Sequence, residues 1–128
     1  SLKVKNMDSN NQKPNYEKLE IWQEAIKLTS VIYLITKNFP KEEQFGITSQ
    51  LRRAILSVPL NIAEGQGRKS KLDFRRFLLI SMGSLNETLT ILTVSKNLKI
   101  ISDNEYQKVC ERILILMRRV QSLITKLQ

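Results

Sequence analysis

The sequence predicts an all-α fold, an antiparallel up-down-up-down four-helix bundle with a long third helix. The chain has 128 residues, of which 41% are hydrophobic, so it can enclose one core without disulfides or metals. It contains only four Gly and three Pro, which is too little turn chemistry for a many-stranded fold. Four successive segments instead carry apolar residues at steps of three and four, the spacing typical of helices.

Residues 1–17 show no such spacing and are rich in Asn, Lys, Asp and Pro. We expect them to be a flexible N-terminal segment that precedes a bundle over residues 18–128. Met7 is a plausible natural start, in which case residues 1–6 are not native. The sequence shows neither an apolar signal core nor a long apolar run, so a cytoplasmic location without membrane contact is expected.

The first predicted helix begins near Lys18 and ends at Asn38 and Pro40, because proline disfavours helical backbone in the residue before it. One broad apolar face follows this helix and is expected to point into the core. Its residues are Trp22, Ala25, Ile26, Thr29, Ile32, Tyr33, Thr36 and Phe39.

The second predicted helix begins at Ile47 or Thr48 and contains Pro59 within its apolar pattern. A proline inside a helix removes one backbone donor and crowds the carbonyl four residues earlier, so a kink or a loosened turn is expected there. Gly65 is the predicted stop signal, and residues 65–69 would form a loop. The apolar positions of this helix are Leu51, Ala54, Ile55, Val58 and Ile62.

The third predicted helix follows Ser70, which forms a capping box with Asp73, and extends over residues 71–97. At a rise of about 1.5 Å per residue it spans roughly 40 Å and sets the length of the bundle. Gly83 and Ser84 near its middle are small enough to let a neighbouring helix approach closely. Its inward positions are Phe74, Leu78, Ser81, Leu85, Thr88 and Leu92.

A second capping box, Ser102 with Glu105, opens the fourth predicted helix. The lone Cys110 lies on its apolar side, so no internal disulfide is possible and a buried structural thiol is favoured over a reactive one. The apolar seam of this helix is formed by Tyr106, Val109, Ile113, Leu116, Val120, Leu123 and Leu127, widened by Cys110, Met117 and Ile124.

Catalytic chemistry has little support in the sequence. The chain contains no His, no Cys pair and no Gly-rich phosphate loop, and its carboxylates lack the Glu-x-x-His spacing of di-iron bundles. We therefore expect neither enzymatic activity nor a metal or other cofactor. The larger aromatic residues are better explained as core or subunit contacts than as base-stacking platforms. They are Trp22, Tyr33, Phe39, Phe74 and Phe77.

Positive charge is densest between positions 52 and 76, where seven basic residues face only Glu64 and Asp73, a net +5 out of +9 for the chain. Guanidinium groups bind phosphate in a bidentate way, and the first amides of the third helix add donors. Residues 65–71 could therefore seat an anion, with Gly67 allowing close approach. The predicted nucleic-acid-binding residues are Arg52, Arg53, Arg68, Lys69, Lys71, Arg75 and Arg76.

A structural interpretation competes with this one. Glu64 would pair with Arg68 and with Arg75 or Arg76 and pin the loop to the bundle, while Asn61 caps nearby backbone groups. The carboxylates are too few to occupy the remaining four basic residues, for which anion contact is slightly favoured. These four are Arg52, Arg53, Lys69 and Lys71.

The last helix carries further cations off its apolar seam, namely Lys108, Arg112, Arg118 and Arg119. They could line a second basic strip or the mouth of a ring. A solvated outer face is the simpler interpretation for a single chain.

The segment from Ser57 to Arg68 reads SVPLNIAEGQGR, and it is followed in order by Ser70, Phe74, RFL at 76–78 and GSL at 83–85. Together with LEIWQ at 19–23, this pattern closely resembles the bacterial four-helix bundle proteins first described as products of intervening sequences in 23S ribosomal RNA genes. That family also includes accessory proteins of diversity-generating retroelements. The motif residues to which the resemblance gives a structural role are Pro59, Asn61, Glu64, Gly65, Gly67 and Ser70.

The resemblance covers residues 17–127 and implies a left-handed four-helix bundle that assembles into a homopentameric ring. For the retroelement members it implies in addition a basic surface that binds nucleic acid and a reverse transcriptase. It implies no established activity for most of the family.

We therefore predict a non-catalytic, homo-oligomeric adaptor whose basic surface binds structured RNA or DNA. Repetition of the +9 charge of each chain around a ring axis would strengthen its attraction for a nucleic-acid backbone. The alternative is a scaffold that organises an acidic protein partner and has no nucleic-acid role. Steep salt dependence of RNA binding would distinguish the first from the second.

Overall fold

The computed structural model describes residues 19–128, so the predicted flexible segment 1–17 lies outside the described residues. Within the described part there are four α-helices and one short 3-10 turn, and no strand. The helices are α1 Glu20–Thr36, α2 Ile47–Gly67, α3 Lys71–Asn97 and α4 Asp103–Lys126, and the 3-10 turn is Lys41–Glu43. The predicted all-α class is confirmed.

Each helix packs against the helix before it and the helix after it, and α1 also packs against α4. Short connections of this kind place successive helices side by side in opposite directions, which is the arrangement of an antiparallel four-helix bundle. The contact between α2 and α3 is the most extensive, and only the three residues 68–70 connect these two helices.

The core lies between the four helices and receives side chains from every one of them. Burial of these aliphatic groups, at about 25 cal/mol per Å² of apolar surface, supplies the main stabilisation of the bundle. The largest fully buried side chains are Leu28, Ile32, Leu51, Ile55, Val58, Ile62, Leu78, Leu85, Leu92, Ile113, Leu116 and Ile124.

The inner face of α1 differs from the prediction. Ile21 and Leu28 are buried in the core, whereas Ile26 and Tyr33 are exposed and Trp22 is only half-buried. The helix carries two neighbouring apolar stripes, and both satisfy the spacing of three and four. Contact with α2 and α4 decides which stripe enters the core. The inner face predicted from the sequence therefore combined residues of both stripes.

The backbone of α2 continues through Pro59, which is buried, and ends at Gly67. Because Pro59 has no N–H, the carbonyl of Ile55 lacks its usual helical donor. The hydroxyl of Thr29 on α1 lies 3.5 Å from that carbonyl oxygen, although its shorter bond, 2.8 Å, goes to the carbonyl of Ala25. The proline therefore interrupts the hydrogen-bond ladder without ending the helix.

The predicted stop at Gly65 is wrong, because Gly65 lies inside α2. Its role is to permit contact with α3. A Cβ atom built at Gly65 would lie 2.8 Å from the Cβ of Phe77 and 3.0 Å from Cδ1 of Phe74. The predicted loop 65–69 is thereby shortened to residues 68–70.

The two predicted cap residues, Ser70 and Ser102, begin their helices as expected. The Ser70 hydroxyl accepts a hydrogen bond from the backbone N–H of Asp73 at 3.1 Å, and Ser102 accepts one from Glu105 at 3.1 Å. Such caps satisfy backbone donors that the first turn of a helix leaves unpaired. The bounds of α3 at residues 71 and 97 agree with the prediction.

The middle of α3 is only partly as expected. Ser84 is buried, and its hydroxyl lies 2.9 Å from the hydroxyl of Ser57 on α2. At Gly83, by contrast, a Cβ atom would meet no heavy atom of another helix within 4 Å, so this glycine does not mediate a close helix approach. Within the described residues, α3 is also the one helix long and apolar enough to cross a membrane, as core helices of bundles can be.

Candidate nucleic-acid interface

The seven predicted binding residues do not form one patch. Arg52 and Arg53 lie in the first half of α2, whereas the other five surround the connection between α2 and α3. Arg52 and Arg68 are separated by about 24 Å along the helix axis, at about 1.5 Å per residue. We call the second group the end cluster, and its members are Arg68, Lys69, Lys71, Arg75 and Arg76.

Arg52 is held by α1. Its Nε donates to the hydroxyl of Thr36 at 2.8 Å, and Nη2 donates to the carbonyl of Tyr33 at 3.3 Å. The guanidinium also lies 4.6 Å from the centroid of the Tyr33 ring, within the range of a cation–π contact. The sequence pattern favoured Arg52 as a free cation for anion contact. In the structure its bonds instead join the end of α1 to α2.

Arg53 is exposed and lies in a shallow hollow beside Phe45 and Glu87. The nearest part of α3 is therefore acidic at this point. Arg53 and Arg52 belong to a surface that is distinct from the end cluster.

Within the end cluster, Arg68 and Arg76 share one aromatic ring. The guanidinium carbons of Arg68 and Arg76 lie 5.1 Å and 4.9 Å from the centroid of Phe77. Arg68 also forms an ion pair with Glu64 at 2.9 Å, and Arg76 forms one with Asp73 at 3.4 Å. Exposed pairs of this kind contribute only about 0.3–0.5 kcal/mol each, so they orient the guanidinium groups more than they stabilise the fold.

The predicted pairing of Glu64 with Arg68 is therefore found, whereas Arg76 pairs with Asp73 instead of Glu64. Asn61 bonds inside its own helix. Its Nδ2 donates to the carbonyl of Ser57 at 2.8 Å and to the hydroxyl of Ser57 at 2.9 Å. Asn61 thus has the structural role that the alternative interpretation gave it.

Lys69 and Lys71 are exposed and have no ion-pair partner within residues 19–128. They stand on either side of Ser70, the residue that caps α3. The space beside Gly67 is open to the rest of residues 19–128, since beyond its chain neighbours and the backbone of its own helix no heavy atom of theirs lies within 4 Å of its Cβ position. These two lysines are the exposed cations of the cluster whose charge is not offset by a carboxylate partner among residues 19–128.

Arg75 is half-buried, and its Nε is shielded from solvent with no hydrogen-bond partner in the described part of the chain. Neither Glu64 nor another carboxylate pairs with it among residues 19–128. Buried donors are nearly always paired in proteins. Arg75 therefore differs from Arg68 and Arg76 in carrying an unmatched donor.

The second basic strip is broken by a bond that the sequence pattern did not reveal. Arg112 donates from Nη2 and Nε to one carboxylate oxygen of Glu24, at 2.8 Å and 3.1 Å. Arg119 makes only a long contact of 3.9 Å with Glu20. Arg112 thus ties α4 to α1, and its partner lies 88 positions away, too far for any local signal to indicate it.

The described residues include no group of three His, Cys, Asp or Glu side chains able to hold a metal. Cys110 is buried, as predicted. Burial raises the pKa of its thiol, and the hydrogen bond with Tyr106 and the charge of Lys96 offset this only in part. The protonated thiol is a poor nucleophile.

The motif around this junction now has a physical explanation. Pro59 and Asn61 lie within α2, Gly65 admits the aromatic rings of α3, and Ser70 caps the next helix. The model of the family described as "23S rRNA-intervening sequence protein" matches residues 17–122. The chain belongs to this family.

One solved structure with a similar fold is a protein of unknown function from the S23 ribosomal protein family of Bacteroides thetaiotaomicron VPI-5482. It superposes with a TM-score of 0.74 at 21% sequence identity, covering 81% of this chain and 97% of the other. At this identity the likeness concerns the fold alone. No curated protein matched the sequence.

Proposed function

We propose that this member of the 23S rRNA-intervening sequence protein family is a non-catalytic, homo-oligomeric cytoplasmic adaptor that binds structured RNA through the end cluster. The observation that supports this is the pair of exposed lysines, Lys69 and Lys71, at the start of the long helix α3. They lie beside Arg68 and Arg76, whose guanidinium groups contact the ring of Phe77. Five cations stand there against the carboxylates Glu64 and Asp73.

Phosphate is the ligand that this arrangement suits. Lys69 and Lys71 supply mobile charges, and the cations held over Phe77 present fixed donors, a combination that contacts a backbone without reading bases. The amides of the first turn of α3 and the helix dipole favour the same negative charge. Binding by this surface would depend on RNA shape and charge more than on base sequence.

Self-association is the second part of the proposal. Each chain carries a formal charge of +9, so copies repel one another in the absence of a polyanion. RNA bound across neighbouring copies would offset that repulsion, which couples assembly to binding. By resemblance, a homopentameric ring is the proposed assembly, and a reverse transcriptase is a proposed protein partner.

The test is binding of a structured RNA and of a duplex DNA to the full chain over a series of salt concentrations. In a Lys69→Gln/Lys71→Gln variant, the slope of log affinity against log salt should fall by about two, because each lost phosphate contact removes about one. The matched control is Lys41→Gln/Lys99→Gln, two exposed lysines in the connections at the other end of the bundle. Equal slopes in both variants, or no RNA binding at low salt, would contradict the proposal.

A scaffold for an acidic protein partner is the second candidate function. It is supported by a different surface, formed by α1 and α2, and its partner is the subject of the next subsection.

A further inference from the structure

An apolar groove runs along the outer side of α1 and α2. It consists of two adjoining hollows of about 500 Å³ and 470 Å³, which share Tyr33 and Leu56 as lining residues. Phe45 lines one of them and Leu34 the other. We call this surface the α1–α2 groove.

Several of its apolar side chains are open to solvent. Phe45 is 91% exposed and Leu34 is 60% exposed. Ile26 and Leu60, which are also exposed, continue the apolar surface along the same two helices. A contiguous exposed apolar surface of this kind marks a contact site for another molecule.

Among residues 19–128, the charged side chains that line the two hollows are all cations, namely Lys37, Arg52 and Arg53. A carboxylate, that of Glu87, lies with Arg53 and Phe45 in the neighbouring hollow. The first turn of α2, which begins at this end, contains no acidic residue, and its N-cap, Gly46, has no side chain to bond the free amides. The Glu43 carboxylate accepts a bond from one of these amides, that of Ile47, at 3.2 Å and offsets part of the positive end of the helix, and the remaining amides favour an anionic partner as the three cations do.

Arg52 is positioned to meet a polar partner at the groove. Its guanidinium is fixed over the Tyr33 ring and by its bond to α1, so a carboxylate would meet a donor already in place.

Charge decides against a second copy of the chain as the occupant. The other exposed apolar pairs are themselves flanked by cations, because Leu79 and Ile80 follow Arg75 and Arg76 on α3. The pair on α4, Leu114 and Ile115, lies between Arg118 and Arg112, and the charge of Arg112 is offset by Glu24. A copy presenting either pair would place Arg75 or Arg118 against Lys37 and Arg53, and like charges across an interface oppose binding.

We propose that the α1–α2 groove binds an acidic amphipathic helix of another protein. From Thr29 to Lys37 the lining of the groove extends about 12 Å along α1, which is slightly more than two helical turns. Leucine side chains of the partner at helical spacing would fill the two hollows, and flanking Glu or Asp would pair with Lys37, Arg52 and Arg53. This inference does not depend on RNA binding by the end cluster.

The probe is a fluorescent helical peptide of about 18 residues, five turns, with Leu along one face and Glu beside it, and its binding to the full chain is followed by fluorescence anisotropy. A peptide of the same pattern with Lys in place of Glu is the charge control. The chain is tested as wild type, as Leu34→Asp/Leu56→Asp, and as Leu114→Asp/Ile115→Asp, a matched change of exposed residues on α4. Circular dichroism verifies that each variant is folded.

The acidic peptide should have the same affinity for wild type and for the α4 variant. Its affinity for the groove variant should be at least about tenfold lower. The Arg53→Glu variant should bind the acidic peptide more weakly and the Lys peptide more tightly than wild type does. Loss of folding cannot produce such a reversal. Equal binding of both peptides, or of the acidic peptide to all variants, overturns the proposal. The proposal is also overturned if wild type does not bind the peptide and the groove variant loses self-association, because a second copy would then be the occupant. Loss of binding to a structured RNA by the groove variant would overturn it as well, because RNA would then be the occupant.

Discussion

A Cβ atom at Gly65 would lie 2.8 Å from the Cβ of Phe77 and 3.3 Å from the carbonyl oxygen of Phe74. Neither atom is the far end of a flexible side chain, so α3 as a whole would have to move to make room. Gly83 is the opposite case, because its Cβ position is open. The cost of replacing a glycine within a helix therefore depends on its neighbours. Packing requires glycine at position 65 and does not require it at position 83.

Gly65→Ala should lower the free energy of unfolding by about 1 kcal/mol, because overpacking of about 1–3 kcal/mol exceeds the gain of about 1 kcal/mol in helix propensity. Gly83→Ala should raise it by about 0.5–1 kcal/mol, since only propensity changes there. Urea unfolding of both variants beside wild type measures the two effects. A stabilising Gly65→Ala would show that α2 and α3 are less closely packed than the contacts of Gly65 indicate.

At the level of whole helices, α2 and α3 are joined by small polar side chains. The hydroxyl of Ser81, which is buried, donates to the carbonyl of Val58 at 3.0 Å, and Ser84 meets Ser57 at 2.9 Å. Serines bring two backbones close and remain hydrogen-bonded, which explains why this pair has the most extensive contact in the bundle. The α1–α4 pair relies on a different bond, the ion pair of Glu24 and Arg112.

A double-mutant cycle with Glu24→Gln and Arg112→Gln should give a coupling free energy of about 0.5–1 kcal/mol, since the pair is partly solvated. The Glu20 and Arg119 pair is the control, because its 3.9 Å contact is more exposed and should give a coupling near zero. Thermal or urea unfolding of wild type and the variants of both cycles supplies the two values. Similar coupling free energies in the two cycles would mean that the shorter distance between Arg112 and Glu24 adds nothing to the stability of the fold.

The helices that could be predicted in detail are those whose limits depend on nearby residues. Ser70 and Ser102 bond amides three residues away, so the beginnings of α3 and α4 are readable from the sequence. The end of α2 is not, because Gly65 is present for contact with α3 and not to stop a helix. The bond of Arg52 to Thr36 depends in the same way on tertiary contact, which is why the candidate site proved to be two separate surfaces.

Over the whole molecule, the cations are divided between two places with different surroundings. The end cluster is polar and carries the unpaired Lys69 and Lys71, whereas Arg52 and Arg53 border an apolar groove. About 24 Å along α2 separates the two. We propose a polyanion for the first surface and an acidic helix with an apolar face for the second, and at this separation the two proposed partners would not compete for one site.

The net charge makes a prediction about assembly that is separate from both surfaces. Copies of a +9 chain repel at low ionic strength, and salt screens that repulsion because the Debye length falls from about 30 Å at 0.01 M to about 10 Å at 0.1 M. The mass of the RNA-free protein in light scattering should therefore rise with salt, whereas its affinity for RNA falls. Lys69→Gln/Lys71→Gln, with two fewer charges, should associate at lower salt than Lys71→Arg, which keeps the charge. A mass of one chain at every salt concentration, with and without RNA, would rule out the homo-oligomer and leave the single bundle as the binding unit.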